Sequence, residues 1–423
     1  MNFTEITNER FGEKYYKLHH KSGLDIIICP KKDFNSSYAL IGTHFGSINS
    51  KFIHNGKKVT VPDGTAHYLE HKLFESEEGD AFTLYAKTGA SANAYTSFDV
   101  TCYLFSCTDK FDESLEILFD LIQSPYFTPE TVAKEQGIIG QEIKMYQDSP
   151  EWKVTMNLLQ ALYHNHPINI DIAGTVETIA EITPEILYEC YNSYYNLNNM
   201  VLCIVGNVDP ERVIEIADNK LKINEPVHTE SIFPDEPYEV KQSYTEQKLP
   251  VAVPLFALGF KEKAPKSFAG TKELICTSII LKAFAGSGSS LYRRLLDEKL
   301  INSSFGTEYM EGCGYRTVIF EGESRDPEKA AEIIKEEVIK LHQSGVSEQD
   351  LEIARRSVYG EIAYSFDSPS AIASEVINAE FTGRKISEAS SIIAEITLSD
   401  INERLKDQLD TGNCCLSVIK GID

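Results

Sequence analysis

The sequence predicts an α+β protein of two tandem homologous domains, each a mainly antiparallel sheet with helices packed on one face. Three observations predict this fold class. The chain repeats itself in order, strand-like and helix-like segments alternate within each half, and neighbouring strands such as those in 91–107 have hairpin spacing. With 423 residues, of which 42% are hydrophobic and 25% charged, each half is long enough to bury its own core.

The internal repeat rests on two collinear similarities. Residues 128–150, TPETVAKEQGIIGQEIKMYQDSP, align without a gap with residues 347–369, SEQDLEIARRSVYGEIAYSFDSP. Segments 180–209 and 394–423 then share the tetrapeptide AEIT, a helix-like stretch and an apolar strand that ends in Asp. A duplication explains both. The predicted domains are 1–220 and 241–423, and the polar, proline-containing segment 221–240 predicts a linker.

Strands and helices follow from local composition. In the first half, apolar runs predict strands at 24–30, 37–46, 100–107 and 200–208. Helices are predicted at 112–124 and 129–147, the second with Thr128 as N-cap and Pro129 at its first position. In the second half, the pattern predicts strands at 253–260 and 317–324 and a helix over 326–343.

Charge and cysteine usage narrow the function class. A formal net charge of −24 would repel a polyanion, so no nucleic-acid partner is expected. No segment approaches about 18 consecutive apolar residues, which predicts no membrane span. The start of the chain is polar and lacks the apolar core of a signal peptide. Nine scattered cysteines without a C-x-x-C pair suit reduced, buried thiols, so a cytoplasmic location is expected.

The segment GTAHYLEHKLFE, residues 64–75, places His67, Glu70 and His71 in the spacing H-x-x-E-H. On a helix the two imidazoles lie one turn apart and can bind one ion. Glu70 then lies beside that ion without ligating it, where it can take a proton from a metal-activated water. The alternative interpretation is two partly exposed histidines on an acidic helix.

A catalytic zinc site needs a third protein ligand, and helix 129–147 offers two candidates. Glu135 and Glu142 are two turns apart and share a face that isoleucines border. The alternative is a solvated acidic stripe. In the second copy, the positions aligned with His67 to His71 are 286–290, GSGSS, and the position of Glu135 is Ala354. This loss predicts a single metal site, in the first copy.

A second histidine pair, His164 and His166 in YHNHPI, lies in a proline-containing loop. This context favours a structural or exposed role over metal binding.

These motifs resemble the pitrilysin/insulinase family of inverted zinc peptidases, in particular its bacterial two-subunit type. The resemblance spans nearly the whole chain. GTAHYLEHKLFE is similar to the active-site helix of the family, KEQGIIGQEIKMYQDSP to its distal glutamate helix, GASANAYTS to its substrate-edge strand and NMVLCIVGNVD to the last strand of its first domain. It implies a zinc-dependent endopeptidase subunit that cleaves unfolded peptides or peptide precursors.

The resemblance also implies roles for individual residues. One Zn²⁺ per chain would be held by three ligands, with a general base, an outer-shell carboxylate that orients a histidine, and an edge strand that pairs with the peptide substrate. The implied residues are His67, His71 and Glu142 as ligands, Glu70 as base, Glu135 as outer-shell carboxylate, and Ser91, Asn93 and Ala94 as substrate-binding positions.

One departure from the family pattern changes the expected assembly. Active members carry an Arg and a Tyr seven residues apart in the second domain, which bind substrate and stabilise the oxyanion. Here those positions are Leu296 and Ser303, in LYRRLLDEKLINSSF. The expected partner is a motif-less paralogue that supplies the pair in a heterodimer. The alternative function is a non-catalytic scaffold or peptide-holding subunit of a larger complex.

Overall fold

The computed structural model describes residues 3–8, 10, 12–77 and 79–422. The strands are β1 Thr4–Asn8, β2 Glu13–His19, β3 Asp25–Pro30, β4 Ser37–Thr43, β5 Lys51–His54, β6 Lys57–Thr60, β7 Glu75–Ser76, β8 Gly79–Asp80, β9 Ser91–Thr96, β10 Thr101–Cys107, β11 Met200–Gly206, β12 Thr229–Ser231, β13 Tyr244–Leu249, β14 Leu255–Lys261, β15 Gly306–Gly312, β16 Tyr315–Glu323 and β17 Cys414–Gly421.

The α-helices are α1 Thr65–Leu73, α2 Ala81–Thr88, α3 Phe111–Gln123, α4 Pro129–Gln147, α5 Pro150–Leu162, α6 Val176–Ile179, α7 Pro184–Tyr194, α8 Pro210–Lys220, α9 Thr271–Ala285, α10 Ser290–Asp297, α11 Pro327–Ser344, α12 Glu348–Ser365, α13 Pro369–Thr382, α14 Ile386–Glu395 and α15 Leu398–Leu405. Each strand and helix predicted above is present within a few residues of its predicted bounds. The N-cap prediction is confirmed, since Thr128 Oγ1 accepts the backbone N–H of Thr131.

The first sheet has seven strands in the order β1-β2-β3-β11-β4-β10-β9. All its pairs are antiparallel except β11 with β3. Side chains alternate between its faces with the two-residue period of a strand. Ile26 and Ile28 of β3 point into the main core under helices such as α1 and α3. Ile27 points into a separate apolar cluster on the opposite face.

The second sheet repeats this topology with five strands in the order β13-β17-β14-β16-β15. Strand β17 pairs in parallel with β13 and antiparallel with β14, as β11 does with β3 and β4. Strands β15 and β16 form the antiparallel hairpin that β9 and β10 form in the first sheet. The predicted fold class, two tandem α+β units with mainly antiparallel sheets, is confirmed.

The two copies exchange one helix, which the sequence did not predict. Helix α13 comes from the second half of the chain, yet Ile372 and Ile377 on it pack on the second face of the first sheet. Helix α5 comes from the first half and lies against β14 and β17 of the second sheet. Glycines at matching positions admit both helices. A Cβ on Gly42 of β4 would lie 2.9 Å from Phe381, and one on Gly259 of β14 would lie 2.9 Å from Leu158.

Two compact units result from this exchange. One comprises the chain to Ile143, Asp171–Ile232 and Ala363–Ser387, and the other comprises Lys144–Ile170, Phe233–Ile362 and the chain from Glu388. The bounds 1–220, 221–240 and 241–423 stay a prediction about the ancestral repeat. The segment between α8 and β13 contains strand β12, which pairs with β5. In the same segment, Glu236 Oε1 accepts a hydrogen bond from Nζ of the buried Lys261 at 2.7 Å.

One helical stretch, Thr271–Asp297, is long and apolar enough to cross a membrane by length and composition alone. It divides into α9 and α10, and its apolar residues, such as Ile279 and Leu295, belong to the core of the second unit. These features are typical of a buried core helix. The nine cysteines, all among the described residues, are free thiols, and eight of them are buried.

Candidate metal centre

Helix α1 carries the H-x-x-E-H motif, and its N-terminal turn and Tyr68 hold it in place. It begins after Gly64, whose φ of 90° lies in the left-handed region. A Cβ there would also lie 2.5 Å from the carbonyl oxygen of Ala173, so only glycine fits this turn. The hydroxyl of Tyr68 donates to the carbonyl oxygen of Val132 in α4. Helix α1 is therefore fixed against the helix that carries the distal glutamates.

Three predicted ligands converge between α1 and α4. His71 Nε2 lies 3.3 Å from Glu142 Oε2, and His67 Nε2 lies 3.7 Å from Glu142 Oε1. One donor atom from each of the three residues falls within 4.8 Å of the others. The structure thus brings His67, His71 and Glu142 together. Their role as ligands stays a prediction.

The donor set and its spacing fit a zinc ion. Two imidazole nitrogens and one carboxylate oxygen form a ligand set known from catalytic zinc sites. With bond lengths of about 2.0–2.1 Å and tetrahedral angles, ligand atoms lie about 3.4 Å apart. The observed separations of 3.3 and 3.7 Å bracket that value. Residues His67, His71 and Glu142 can accept the ion with little rearrangement.

Glu135 lies behind His71, as the outer-shell interpretation expects. Its Oε1 is 3.1 Å from His71 Nδ1, the nitrogen that faces away from Glu142. Such a hydrogen bond fixes the ring orientation and leaves Nε2 as the ligating atom. Among the two histidines, Glu135 is recorded in contact with His71 alone. Its role as an outer-shell positioning group stays a prediction.

The pKa shifts within the cluster favour a positive charge on His71 and negative charges on Glu135 and Glu142. Burial lowers the pKa of His71, but its hydrogen bonds to Glu135 and Glu142 outweigh that effect and raise the pKa to about 10. Hydrogen bonds from His67 and His71 lower the pKa of Glu142 far below its usual range. For Glu135, burial acts to raise the pKa and the bond to His71 lowers it more. A metal ion would compete with the proton for His71 Nε2.

Glu70 lies on α1 beside the ligands and is only 7% exposed. Burial raises its pKa, opposed by the nearby His67. One carboxylate oxygen, Oε2, accepts a hydrogen bond from Thr96 Oγ1 at 2.7 Å. A buried carboxylate of raised pKa with one oxygen so fixed is suited to take and return a proton.

Thr96, which contacts Glu70, is a residue of the candidate site that the sequence analysis missed. The signal was present, because GASANAYTS contains it two residues after Ala94, and period-2 alternation puts both on one face of the strand. Lys72 was missed as well. It is fully buried and paired with Glu75 beside α1, and nothing in the sequence distinguishes it from a solvated lysine.

Strand β9 carries the predicted substrate-binding positions. It is the last strand in the order of the first sheet, so one of its edges pairs with no other described strand. Ser91 and Asn93 are exposed and Ala94 is half-buried. These residues do not join the ligand cluster; they line the strand whose last residue, Thr96, contacts Glu70. Peptide binding at these positions stays a prediction.

The second copy differs from the interpretation of its sequence in one respect. Residues 286–290 span the turn from α9 to the first residue of α10, and the element order makes α9 the counterpart of α1. The gapless alignment therefore placed the counterpart of the motif just after the C-terminal end of α9 instead of within this helix. Helix α9 contains no histidine, and the second copy shows no comparable cluster of three ligand residues among those the structure describes. A single metal site stays a prediction. Glu361, the counterpart of Glu142 in the aligned repeat, pairs with Lys282 of α9 at the surface.

The segment that would carry the family's Arg and Tyr offers no substitute for them. Leu296 on α10 is 44% exposed, and Ser303 is exposed in the loop that follows. Arg294 is committed to Glu337 at 2.7 Å and to Glu298 at 3.3 Å. Arg293 donates to the carbonyl oxygen of Gly288.

Two tandem α+β units, one with an H-x-x-E-H helix facing a distal glutamate and the other without ligands, define the class of inverted zinc peptidases. Residues 52–176 match "Insulinase (Peptidase family M16)", and residues 181–358 match "Peptidase M16 inactive domain". The chain belongs to this insulinase family, M16. It is 37% identical over 421 residues to a Bacillus subtilis protein named "Uncharacterized zinc protease YmfH", covering 96% of each chain.

Solved structures agree with this membership. A putative M16-like peptidase from Alicyclobacillus acidocaldarius is 31% identical, with a TM-score of 0.93 over 100% of this chain and 99% of that one. A protease from Helicobacter pylori, at 20% identity and a TM-score of 0.80 over 96% of this chain and 100% of that one, shares the fold. A relative named "Mitochondrial-processing peptidase subunit beta" from Caenorhabditis elegans is 29% identical over 163 residues, 37% of this chain and 35% of its own.

Proposed function

We propose that the chain is the zinc-bearing subunit of an endopeptidase that cleaves unfolded peptides or peptide precursors. One observation carries the proposal: Glu70 lies beside three convergent ligand residues, with its carboxylate buried and one of its oxygens fixed by Thr96. Three of the relatives above are named as a zinc protease or a peptidase, which supports a hydrolytic role.

The residues of the candidate site have three proposed roles: metal ligand, general base and positioning group. His67, His71 and Glu142 would hold the ion, which supplies Lewis acidity toward a peptide carbonyl and lowers the pKa of a water. Glu70 takes a proton from the attacking water and returns it to the leaving amine. Glu135 keeps the ring of His71 oriented.

Strand β9 would hold the substrate. An extended peptide can add to its open edge through main-chain hydrogen bonds, which give affinity with little sequence preference. Ser91, Asn93 and Ala94 lie along this edge, next to the base that Thr96 holds. This mode of binding requires an unfolded segment, so folded proteins are not substrates.

A partner would complete the site. Leu296 and Ser303 supply neither charge nor phenol, and Arg294 is held by carboxylates, so this segment lacks the Arg and Tyr side chains that would stabilise an oxyanion. We propose a heterodimer with a motif-less paralogue that carries the Arg and the Tyr. The relative named as subunit beta of a processing peptidase supports an assembly of this kind. A cytoplasmic location is proposed from the free, buried thiols.

The test measures cleavage of a quenched fluorescent unfolded peptide by the zinc-loaded chain, by the paralogue and by both. We expect turnover only in the mixture. Glu70→Gln in the mixture should lose about 100- to 10,000-fold in kcat while zinc stays bound. Full turnover by the lone chain would refute the partner requirement. A zinc-loaded mixture without cleavage, or one indifferent to Glu70→Gln, would indicate the alternative function, a non-catalytic scaffold.

A further inference from the structure

Strands β5 and β6 of the first unit form a hairpin that is basic although the chain is acidic. Residues 34–62 contain no Asp or Glu, whereas 64 of the 423 residues of the chain are acidic. Lys51, Lys57 and Lys58 lie in this stretch, and all three are exposed. None of their ammonium groups forms an ion pair with a described carboxylate. This basic hairpin therefore presents uncompensated positive charge on a chain whose net charge is −24.

The turn of the basic hairpin fixes which main-chain groups bond between its two strands. Both residues of the turn 55–56 have positive φ, 49° and 78°, as in the two-residue type I′ turn of hairpins. The residues that flank such a turn, here His54 and Lys57, exchange main-chain hydrogen bonds, and bonded pairs recur at every second position. The bond from the N–H of Val61 to the carbonyl oxygen of Ser50 continues this register.

The same register leaves the outer edge of β6 open. Because only alternate residues of β6 bond to β5, the N–H and C=O groups of Lys58 and Thr60 point away from β5. The sheet order is β12-β5-β6, so no described strand pairs with this edge. These main-chain groups bond to no other described residue, and both residues are exposed. An extended segment of another chain has access to them.

The side chain of Lys58 lies on the solvent face of this sheet. Phe52, on the opposite face, is fully buried in the core of the first unit. On the solvent face, Lys58 lies across from Ile53 and diagonal to Lys51, so two like charges are close together. Glu230 of β12 lies on the far side of Ile53, two strands and about 10 Å from Lys58. A carboxylate placed directly beside Lys58 would offset the repulsion.

The lysines determine which kind of strand can pair with this edge. Lysine on an open edge normally protects a sheet against pairing with other strands. A second copy of β6 would place lysines against lysines, which is unfavourable, whereas a strand that carries Asp or Glu would form opposite-charge pairs. Charges farther away than about 8 Å are largely screened at physiological ionic strength, so the net charge of the chain does not prevent this approach. The edge is therefore suited to an acidic segment and not to a second copy of itself.

We propose that the outer edge of β6 binds an acidic extended segment of another protein chain, which adds to the sheet as a fourth strand. The segment forms main-chain hydrogen bonds with Lys58 and Thr60, and one of its Asp or Glu residues pairs with the Lys58 side chain on the solvent face. The main-chain bonds hold the segment, and the charge pair fixes its register. This surface is independent of the metal centre and of the function proposed for it.

The test measures the fluorescence anisotropy of three short labelled peptides with the full chain, in the Glu70→Gln background so that bound peptide is not cleaved. One peptide alternates Glu and Thr, one alternates Lys and Thr, and the third is the first with proline at its central threonines. We expect the Glu–Thr peptide to bind with a dissociation constant on the order of 100 μM or below. The other two should bind at least about 10-fold more weakly. No binding of the Glu–Thr peptide, or equal binding of any other peptide, overturns the proposal.

Two variants distinguish this edge from the open edge of β9. Lys58→Glu should weaken binding of the Glu–Thr peptide at least about 10-fold, and Lys32→Glu, an equal change of charge at an exposed residue outside the hairpin, should leave it unchanged.

Thr60→Pro removes an N–H that faces outward and takes no part in the pairing with β5, so it should also weaken binding while the thermal transition of the chain is retained. Undiminished binding in a folded Thr60→Pro variant overturns the proposal. Binding that survives Lys58→Glu overturns it whether or not Thr60→Pro folds.

Discussion

Thr96 Oγ1 donates a hydrogen bond to Glu70 Oε2 at 2.7 Å. Thr96 is the last residue of the edge strand β9, and its hydroxyl is 3.3 Å from that of Thr101, which donates to the carbonyl oxygen of Phe45. The proposed general base is thus held by the strand that is proposed to bind the substrate. Pairing of a peptide with β9 would act on the orientation of Glu70 directly.

Replacing Thr96 by valine should lower kcat by about 10- to 150-fold and leave KM and zinc content unchanged. Valine keeps the shape but removes one hydrogen bond to a carboxylate, whose net value is about 1.5–3 kcal/mol. Thr96→Ser keeps the hydroxyl and should retain most of the activity. The assay is peptide cleavage by the complete assembly. Equal losses in the valine and serine variants would show that the methyl packing of Thr96 matters and its hydrogen bond does not.

Zinc binding should depend on Glu142 and not on its counterpart in the second copy. Glu142→Gln removes a ligand, so the zinc affinity should fall by more than the roughly 10–100-fold that loss of an outer partner costs. Glu361→Gln is the matched control, because Glu361 occupies the same position in the repeat but pairs with Lys282. Competition with a chromophoric chelator measures both. Similar affinities for the two variants would contradict the assignment.

Glu135→Gln should weaken zinc binding by about 10–100-fold without abolishing it. The reason is that Glu135 contacts His71 Nδ1 and acts on the ion only through that ring. The same chelator competition measures the effect, with Glu130→Gln in the first turn of α4 as a control on the same helix. An effect as large as that of Glu142→Gln would make Glu135 a direct ligand instead.

The first half of the chain should not fold alone. A fragment ending at residue 240 lacks α13, so the apolar face that contains Ile27 and Leu40 is uncovered. We expect aggregation or strong binding of a hydrophobic dye, and no cooperative thermal transition. Fusing residues 363–387 to the fragment through a flexible linker should restore the transition. A monomeric fragment that unfolds cooperatively without that segment would contradict the exchange of helices.

Stability should fall in mild acid partly through His166. This side chain is fully buried, accepts the N–H of Ile168 at Nδ1 and donates from Nε2 to the carbonyl oxygen of Cys313. Burial lowers its pKa from 6.5 to about 4. Between those values the unfolded chain binds a proton that the native state refuses, so the free energy of unfolding decreases as the pH falls, by at most about 3 kcal/mol.

Denaturant titrations at pH values from 7 to 4 test this dependence. His166→Gln should flatten the loss of stability between about pH 6.5 and pH 4. His164→Gln should not, because His164 is exposed in the same loop. Identical slopes in the two variants would refute the role of His166.

The sequence predicted what local pattern encodes. Strand and helix positions, the repeat and the pairing of His67 with His71 follow from periodicity and spacing. Spacing alone left Glu135 and Glu142 as alternatives for the third ligand, and the family resemblance implied Glu142. The exchange of α5 and α13 could not be predicted in this way. An apolar helix face predicts that the helix is buried, but not which of two similar sheets it packs against. Glycines 42 and 259 allow these helices to approach the sheets closely, but a single glycine in a strand has several possible explanations.

Some site features also lay beyond the sequence. The contact between Thr96 and Glu70 joins residues 26 positions apart, and only the placement of α1 against β9 reveals it. The counterpart of α1 in the second copy was misplaced because helix and loop lengths differ between the copies, which a gapless alignment cannot represent.

Anomalous diffraction at the zinc absorption edge, from crystals soaked in zinc, tests the central claim most directly. The account predicts one strong peak about 2.0–2.2 Å from His67 Nε2, His71 Nε2 and one oxygen of Glu142, with Glu70 outside bonding distance. A peak that excludes Glu142, or no peak near the two histidines, would contradict it.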